Sequence, residues 1–335
     1  MRRIGLAVVL AFGLALVPVE ANTQQAGKVS RVGYLFEGAA NAVMHPSLGT
    51  GLNGLRQGLR ALGWTEGENL VIEARFAEGK PERLAGLAAE LIRLNVDVIV
   101  AAPNTPTAMV AKKATTTVPV VMIAGADPVA AGLVASLAKP GGNITGVAVL
   151  NNEIVVKRVE MLLEAVPGIS EIGYLLRAGS PATAPAWEMA KAAAAKLGVK
   201  LRRFDVNPFQ PADLEKAIAT VANQRLGAML VSADQPFYDQ RSLIGALAAK
   251  HRLPWVTAYP ASAEAGALLS YGPDNRDVWQ RLVRLVDKIL KGAKPADLPV
   301  EQVAKFELAV NMKTAKALRL TIPQSLLLQA TEVIQ

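Results

Sequence analysis

Polar side chains that could hold a carboxylate lie together in one short stretch of the chain. Asn104, Thr105 and Thr107 follow the apolar run 96–102, which predicts a buried strand, and they open a predicted helix. The first amides of a helix have no partner within it, and together with hydroxyl groups they suit an anion. N-capping of the helix by Thr105 explains the same residues equally well.

A second set of candidate residues follows the next predicted strand, 118–124. Gly125 bounds that strand, and Asp127 stands where a helix would begin, as an N-cap first and a ligand contact second. Apolar residues at helical spacing predict a helix over 129–137, and 144–150 reads as another strand. This strand–helix–strand unit implies a parallel sheet with a right-handed crossover, and ligands gather at the carboxyl ends of such strands.

The later part of the chain offers an acidic candidate. Asp234 follows a short predicted strand, with Phe237 and Tyr238 close behind it in a predicted loop. An ionised aspartate beside aromatic rings suits an ammonium group or a flat ring. A turn aspartate before Pro236 is an equally good explanation. Tyr259, after the next predicted strand, is a weaker candidate of the same kind.

Catalysis and metal binding have little support in the sequence. The 335 residues include two histidines and no cysteine, and they hold no hydrolase elbow, phosphate-binding loop or paired-histidine zinc motif. His251 suits a helix C-terminus, where a cation is favourable, and His45 lies in a loop that could line a cleft. We therefore expect a protein that is not an enzyme and needs no metal or cofactor.

The N-terminus has the pattern of a secretory signal peptide over residues 1–21. Arg2 and Arg3 precede the apolar run 4–17, and the segment 19–21 offers small or aliphatic residues before a cut. We expect cleavage after residue 21 and export to the periplasm as a soluble protein. The net charge of +8 is spread without a dense basic run, which favours a solvated surface over nucleic-acid binding.

The alternation of predicted strands and helices extends over the whole chain and indicates the α/β class. We expect two Rossmann-like lobes with parallel sheets, the first over 29–150 and the second over 151–292. The segment 293–335 would be a linker and a C-terminal part that returns in part to the first lobe. Pro- and Gly-rich stretches at 140–143 and 292–299 predict more than one crossing between lobes, with a hinge there.

Two longer runs of the sequence are specific enough to compare with known families. They are DPVAAGLVASLAKPGGNITG, at 127–146, and ILKGAKPADLPVEQ, at 289–302. Shorter matching runs lie at 31–35, 66–73, 269–272, 306–308 and 311–318. With these runs the chain resembles the ABC-transporter substrate-binding proteins related to bacterial tryptophan/tyrosine-binding components, which have the type I periplasmic-binding-protein fold.

The resemblance implies that the protein captures a small solute in the periplasm. It would deliver that solute to a permease in the inner membrane that is driven by an ATPase, and it would act as a monomer. The implied ligand is an aromatic amino acid or a related aromatic carboxylate. One departure concerns the run Glu264-Ala265-Gly266-Ala267, where the family tends to have two glycines after a glutamate. That difference could alter the rim of the pocket.

Three other functions compete with this one. An enzyme would need a nucleophile and a base, which the sequence does not offer in a recognisable arrangement. A ligand-sensing core of the lactose-repressor type would need N-terminal DNA-binding helices, where this chain has the predicted signal peptide. A sensor that presents its ligand to a membrane receptor stays open as an alternative to transport.

Overall fold

The computed structural model describes residues 29–40, 50–180 and 183–335. The predicted signal peptide and His45 lie outside these ranges. The first part of the chain contains β1 (Ser30–Phe36), α1 (Gly51–Ala61), β2 (Leu70–Phe76), α2 (Leu84–Arg93), β3 (Val98–Ala101), α3 (Thr105–Ala114), β4 (Val120–Ala124) and β5 (Ile144–Ala148).

The middle of the chain repeats this alternation, and the end adds further strands. It contains α4 (Asn151–Ala165), β6 (Glu171–Arg177), α5 (Thr183–Lys196), β7 (Lys200–Val206), α6 (Pro211–Asn223), β8 (Ala228–Val231), α7 (Gln235–Asp239), α8 (Arg241–Lys250), β9 (Trp255–Thr257), α9 (Ala261–Glu264) and β10 (Leu269–Pro273). These are followed by α10 (Asn275–Leu290), β11 (Glu301–Gln302), β12 (Phe306–Asn311), α11 (Met312–Leu318), α12 (Gln324–Gln329) and β13 (Glu332–Ile334).

The strands form two sheets, each the centre of one lobe. The first sheet has the order β11-β5-β4-β3-β1-β2 and the second the order β13-β12-β10-β9-β8-β6-β7. All neighbouring strands run parallel except the pair β10 and β12. Helices on both faces bury the central strands, which explains why those strands read as continuous apolar runs. The prediction of two α/β lobes with mostly parallel sheets is confirmed.

The helix predicted over 129–137 is wrong. Asp127 Oδ1 accepts two backbone amides of the next three residues, at 2.8 and 3.3 Å, and this makes a single turn. Gly132 then takes a φ of +66°, a left-handed conformation that ends the turn. Leu133 and Val134 are buried in the first lobe, so the apolar spacing comes from a packed loop. The strands on either side still pair in parallel.

Two helices leave the lobe whose strand precedes them and pack against the other lobe. α4 follows β5 of the first sheet, yet Val159 and Leu162 lie in the core of the second lobe. α10 follows β10 of the second sheet, yet Trp279 and Leu282 lie in the core of the first. β11 then pairs with β5, and β12 pairs with β10. The described chain therefore crosses between lobes three times.

These crossings correct the predicted lobe boundaries. The segment 275–302 was assigned largely to the second lobe, but the apolar face of α10 covers the first sheet. The segment 293–335 was expected to return in part to the first lobe. Its strand β11 does pair with β5 of the first sheet, whereas β12 and β13 extend the second sheet. Local periodicity predicts that a helix has an apolar face, and it carries no information on which sheet that face covers.

Trp279 provides a test of this assignment. Its side chain is 2% exposed in the core of the first lobe, so Trp279→Ala should lower the free energy of unfolding by about 3–5 kcal/mol. Trp187→Ala is the matched control, because Trp187 is only partly buried at the edge of the second lobe. Urea unfolding followed by circular dichroism checks this; a smaller loss for Trp279→Ala than for Trp187→Ala would contradict it.

Candidate functional site

A cavity lies between the two lobes, where the carboxyl ends of the two sheets face each other. It encloses ≈ 500 Å³ of space between atoms, its open mouth included. The first lobe contributes Pro103, Asn104, Thr105, Pro106, Gly125 and Ala126, and the second contributes Arg158, Tyr174, Ala186, Ser232, Ala233 and Asp234. An adjoining space shares Pro103 and Gly125 and extends to Tyr259 and Trp279.

The two lobes supply corresponding loops to this cavity. β3 and β8 hold the same position in their sheets, and the segments 98–106 and 228–236 align without a gap. In this alignment Asn104 corresponds to Asp234, and each stands two residues before a proline. The alternation of strands and helices predicted from the sequence does not show this correspondence. The sequence does contain a shared pattern: after each buried strand comes an Asn or Asp, then one residue of any type, then Pro.

The amides at the start of α3 are mostly occupied, which weakens the predicted anion site. Asn104 accepts the Thr107 amide with Oδ1 at 2.9 Å and the Ala108 amide with its carbonyl. Pro106 has no amide hydrogen. Within this fully described turn, Thr105 N–H is the amide that remains. The N-capping function belongs to Asn104 and not to Thr105.

The other first-lobe candidates serve the local structure. Thr105 Oγ1 accepts the Ala126 amide at 3.1 Å and so connects α3 to the end of β4. Gly125 lines the cavity with its backbone. Asp127 is exposed and caps its own turn, outside the residues that line the cavity. Thr107 is fully buried, and its hydroxyl makes no hydrogen bond in the described part of the chain.

Asp234 presents its carboxylate to the cavity. Oδ2 accepts the Ser232 hydroxyl at 2.6 Å, and Oδ1 accepts the Ser180 hydroxyl at 3.3 Å. Although Asp234 occupies the N-cap position of α7, its side chain makes no capping hydrogen bond, so the explanation as a turn cap fails. Loss of hydration raises the pKa of Asp234, while the Ser232 hydrogen bond and the charge of Arg177 act against the rise.

The aromatic surface differs from the one predicted. The predicted loop 233–238 contains the helix α7, which turns Phe237 into the second-lobe core. Tyr238 is buried between Tyr259, at 4.8 Å between ring centroids, and the Arg241 guanidinium, 4.3 Å from its ring. The aromatic side chains at the cavities are Tyr174, Tyr259 and Trp279, of which the first two are phenols. Burial raises the pKa of both phenols, so they remain neutral donors.

Arg158 is a cavity residue that sequence reasoning missed. It lies on α4, is 1% exposed, and donates from Nε to the Tyr271 carbonyl at 2.7 Å. Burial lowers its pKa to about 10, against the effect of Tyr174, Tyr259 and Tyr271, so it stays charged at neutral pH. In the sequence Arg158 follows Lys157, a pair that is typical of a solvated helix face. The structure shows instead that Arg158 lines the cavity between the lobes.

A buried ion pair connects the lobes. Glu37 follows β1 and Arg177 ends β6, strands that hold the same position in the two sheets. Arg177 Nη1 donates to Glu37 Oε2 at 2.9 Å, and Nη2 donates to Oε1. Asn104 Nδ2 also donates to Oε2, at 2.8 Å, and the Phe209 ring lies 5.2 Å from the guanidinium. This fork–fork geometry satisfies both charges away from water.

Other kinds of site find little support in the described ranges. They contain no group of three or more His, Cys, Asp or Glu side chains that could hold a metal ion. Across the same residues, no helix has the length and apolar character needed to span a membrane. Glu264 ends α9 and is not among the residues that line either cavity.

The fold and the cleft define a class of protein. Two parallel α/β lobes, three crossings and a cavity lined by charged and hydroxyl groups are the architecture of a type I two-lobed solute-binding protein. The model of the family described as "ABC transporter substrate binding protein" matches residues 38–334. The chain therefore belongs to this family, and the family resemblance read from the sequence is confirmed.

Several known proteins are similar to the chain. A tyrosine-binding protein of Clostridioides difficile (strain R20291) is 26% identical over 281 residues, which are 84% of this chain and 80% of that protein. The structure of a domain from Streptococcus pneumonia in complex with L-Trp superposes with a TM-score of 0.81 and 28% identity, and covers 91% of this chain and 99% of that one. A conserved domain protein from Vibrio cholerae superposes with a TM-score of 0.82 and 29% identity, and covers 91% and 100% of the two chains.

The interlobe ion pair leads to a prediction about closure. Glu37→Gln leaves the Arg177 charge buried without its partner, so the lobes should separate to hydrate it. We expect a larger radius of gyration in small-angle scattering than for the unchanged protein. Glu66→Gln is the control, because Glu66 pairs with Arg56 on the exposed surface of one lobe. Equal radii for Glu37→Gln and the control would contradict this prediction.

Proposed function

We propose that this protein binds an aromatic amino acid between its lobes and delivers it to the permease of an ABC importer, without catalysis. The single observation that carries the ligand class is Asp234, whose carboxylate lines a cavity that also contains Tyr174. The predicted signal peptide and the family description support a location in the periplasm. The permease and its ATPase would then be partners in the inner membrane.

The relatives support the ligand class. One of them is named for tyrosine and another was solved with L-Trp, at 26% and 28% identity to this chain. Both ligands have an ammonium group, a carboxylate and a flat ring. The cavity of this chain offers a carboxylate, a guanidinium and two phenol rings to groups of that kind. The proposal thus rests on a match of chemistry as well as on similarity.

Asp234 is suited to the ammonium group. Each of its oxygens accepts one hydroxyl hydrogen and retains further acceptor capacity. An ammonium ion carries only donors, so an ionised carboxylate is its natural partner. The charge attraction gains strength because the surrounding protein limits hydration of the pair. Tyr174 and Tyr259 add aromatic surface for a ring that stacks or meets their edges.

A binding screen tests the ligand class. Amino acids, aromatic acids and nucleosides would be added one at a time, and the melting temperature recorded for each. Aromatic amino acids should raise it most, because a ligand that binds only the folded state stabilises that state. A protein that responds to nucleosides or sugars and not to amino acids would disprove the proposed ligand.

Asp234→Asn tests the ammonium contact. Removing one partner of a desolvated charge pair should weaken amino-acid binding by about 3–5 kcal/mol. Binding of the deaminated analogue, which lacks the ammonium group, should change little. Calorimetric titration of both ligands into both proteins checks this. Equal losses for the two ligands, or none for either, would remove Asp234 from the site.

The raised pKa of Asp234 predicts a pH dependence of binding. The ammonium group binds the ionised carboxylate, so affinity should be constant above the pKa of the free protein and fall as pH drops through it. Asp239 is the control, because burial raises its pKa as well, to about 6. Asp239→Asn should keep the pH dependence and Asp234→Asn should lose it. The opposite result in calorimetry between about pH 8 and pH 4 would assign the effect to Asp239.

A further inference from the structure

We propose that Arg158 binds the carboxylate of the ligand, so that the second lobe alone holds both charged groups of an α-amino acid. This inference rests on the proposed function. The sequence indicated that the ligand carboxylate binds at the start of α3, and the inference places it at Arg158 instead. Two places in the cavity could hold a carboxylate: the start of α3 in the first lobe, and Arg158 in the second.

The start of α3 offers little to an anion. Asn104 occupies the amides of Thr107 and Ala108, and Pro106 has no amide hydrogen. The Thr105 hydroxyl already accepts the Ala126 amide. A carboxylate there would meet a single backbone amide and neutral side chains. Such a site lacks the positive charge that would offset the loss of water around a buried carboxylate.

Arg158 offers a charged group at the same cavity. Its side chain is 1% exposed, and the donation from Nε to the Tyr271 carbonyl fixes the plane of the guanidinium. A fixed guanidinium is the side chain best matched to the two oxygens of a carboxylate. Helix α4 holds it rigidly, since the residues around it on that helix belong to the second-lobe core.

Both charges lie near the same two phenol groups. Tyr174 and Tyr259 are both close enough to Arg158 and to Asp234 that each charge shifts the pKa of both phenols. Arg158 and Asp234 line the same cavity and belong to the same lobe. An α-amino acid carries its carboxylate and its ammonium on the same carbon atom, so two opposite charges that line one cavity suit it.

This arrangement predicts how the ligand is selected. Molecules with only one of the two charges leave Arg158 or Asp234 without its ligand partner, so they should bind more weakly than the zwitterion. The first lobe adds the neutral groups of Asn104, Thr105 and Gly125. The second lobe would therefore capture the zwitterion before the first lobe closes on it.

The experiment measures L-tryptophan and tryptamine, which lacks the carboxylate, by calorimetry against the unchanged protein and Arg158→Gln. We expect L-tryptophan to lose about 30-fold or more in affinity for Arg158→Gln, and tryptamine to change by less than about 3-fold. Retained tryptamine binding shows that the variant folds with its site intact. Arg93→Gln is the control, because Arg93 is exposed on α2, and it should bind both ligands as the unchanged protein does.

Thr105→Val tests the competing location. This substitution should lower the affinity for both ligands by the same factor, because it removes only the hydroxyl that accepts the Ala126 amide. If Thr105→Val abolishes the preference for L-tryptophan and Arg158→Gln keeps it, the assignment to Arg158 is overturned.

If Arg158→Gln does not fold, Arg158→Lys serves instead. Its affinity for L-tryptophan alone should fall about 10-fold, because a single ammonium replaces the two-pronged guanidinium. Failure of the unchanged protein to bind any amino acid would disprove the proposed function itself. That result is distinguishable from an overturned assignment of Arg158.

Discussion

The contact between Glu37 and Arg177 sets the relation between the lobes. Both side chains are buried, and burial of a charge is favourable only if it is paired and hydrogen-bonded. Pairing across the cleft is worth much less than its Coulomb energy, because each group gives up hydration to make it. A closed state held in this way can open again at small cost. Asn104 depends on the same contact, since it donates to Glu37 while it caps α3.

The two lobes share one plan but differ in charge. Asn104 and Asp234 occupy corresponding positions after β3 and β8, and the change from amide to carboxylate gives the second-lobe loop a negative charge that the first-lobe loop lacks. Arg158 belongs to the same lobe, although it lies on the helix that follows β5 of the other lobe. Around the ligand cavity, the charged lining residues Arg158 and Asp234 therefore both belong to the second lobe, and the first lobe contributes neutral groups. Such a division allows one lobe to recognise the ligand and the other to cover it.

The sequence predicted what depends on local pattern. Buried parallel strands form apolar runs, so the alternation of elements and the position of Asp234 at a strand end could be read directly. The helix over 129–137 was wrong because apolar spacing also arises where a loop packs Leu133 and Val134 against the core, and Gly132 ends the turn. Arg158 was missed because its contact with Tyr271 joins residues 113 positions apart, which no local pattern records.

The same contact connects the site to the crossings. Arg158 lies on α4, directly after the first crossing, and bonds the Tyr271 carbonyl just before the second. Both segments therefore belong to one rigid unit within the second lobe. Rotation between lobes must then be absorbed at the few residues of the crossings themselves, such as Leu150, whose φ of +53° is already left-handed. A ligand bound to Arg158 would contact α4, the helix that directly follows the first crossing. The first lobe can therefore rotate over the ligand while the contacts between the ligand and the second lobe stay unchanged.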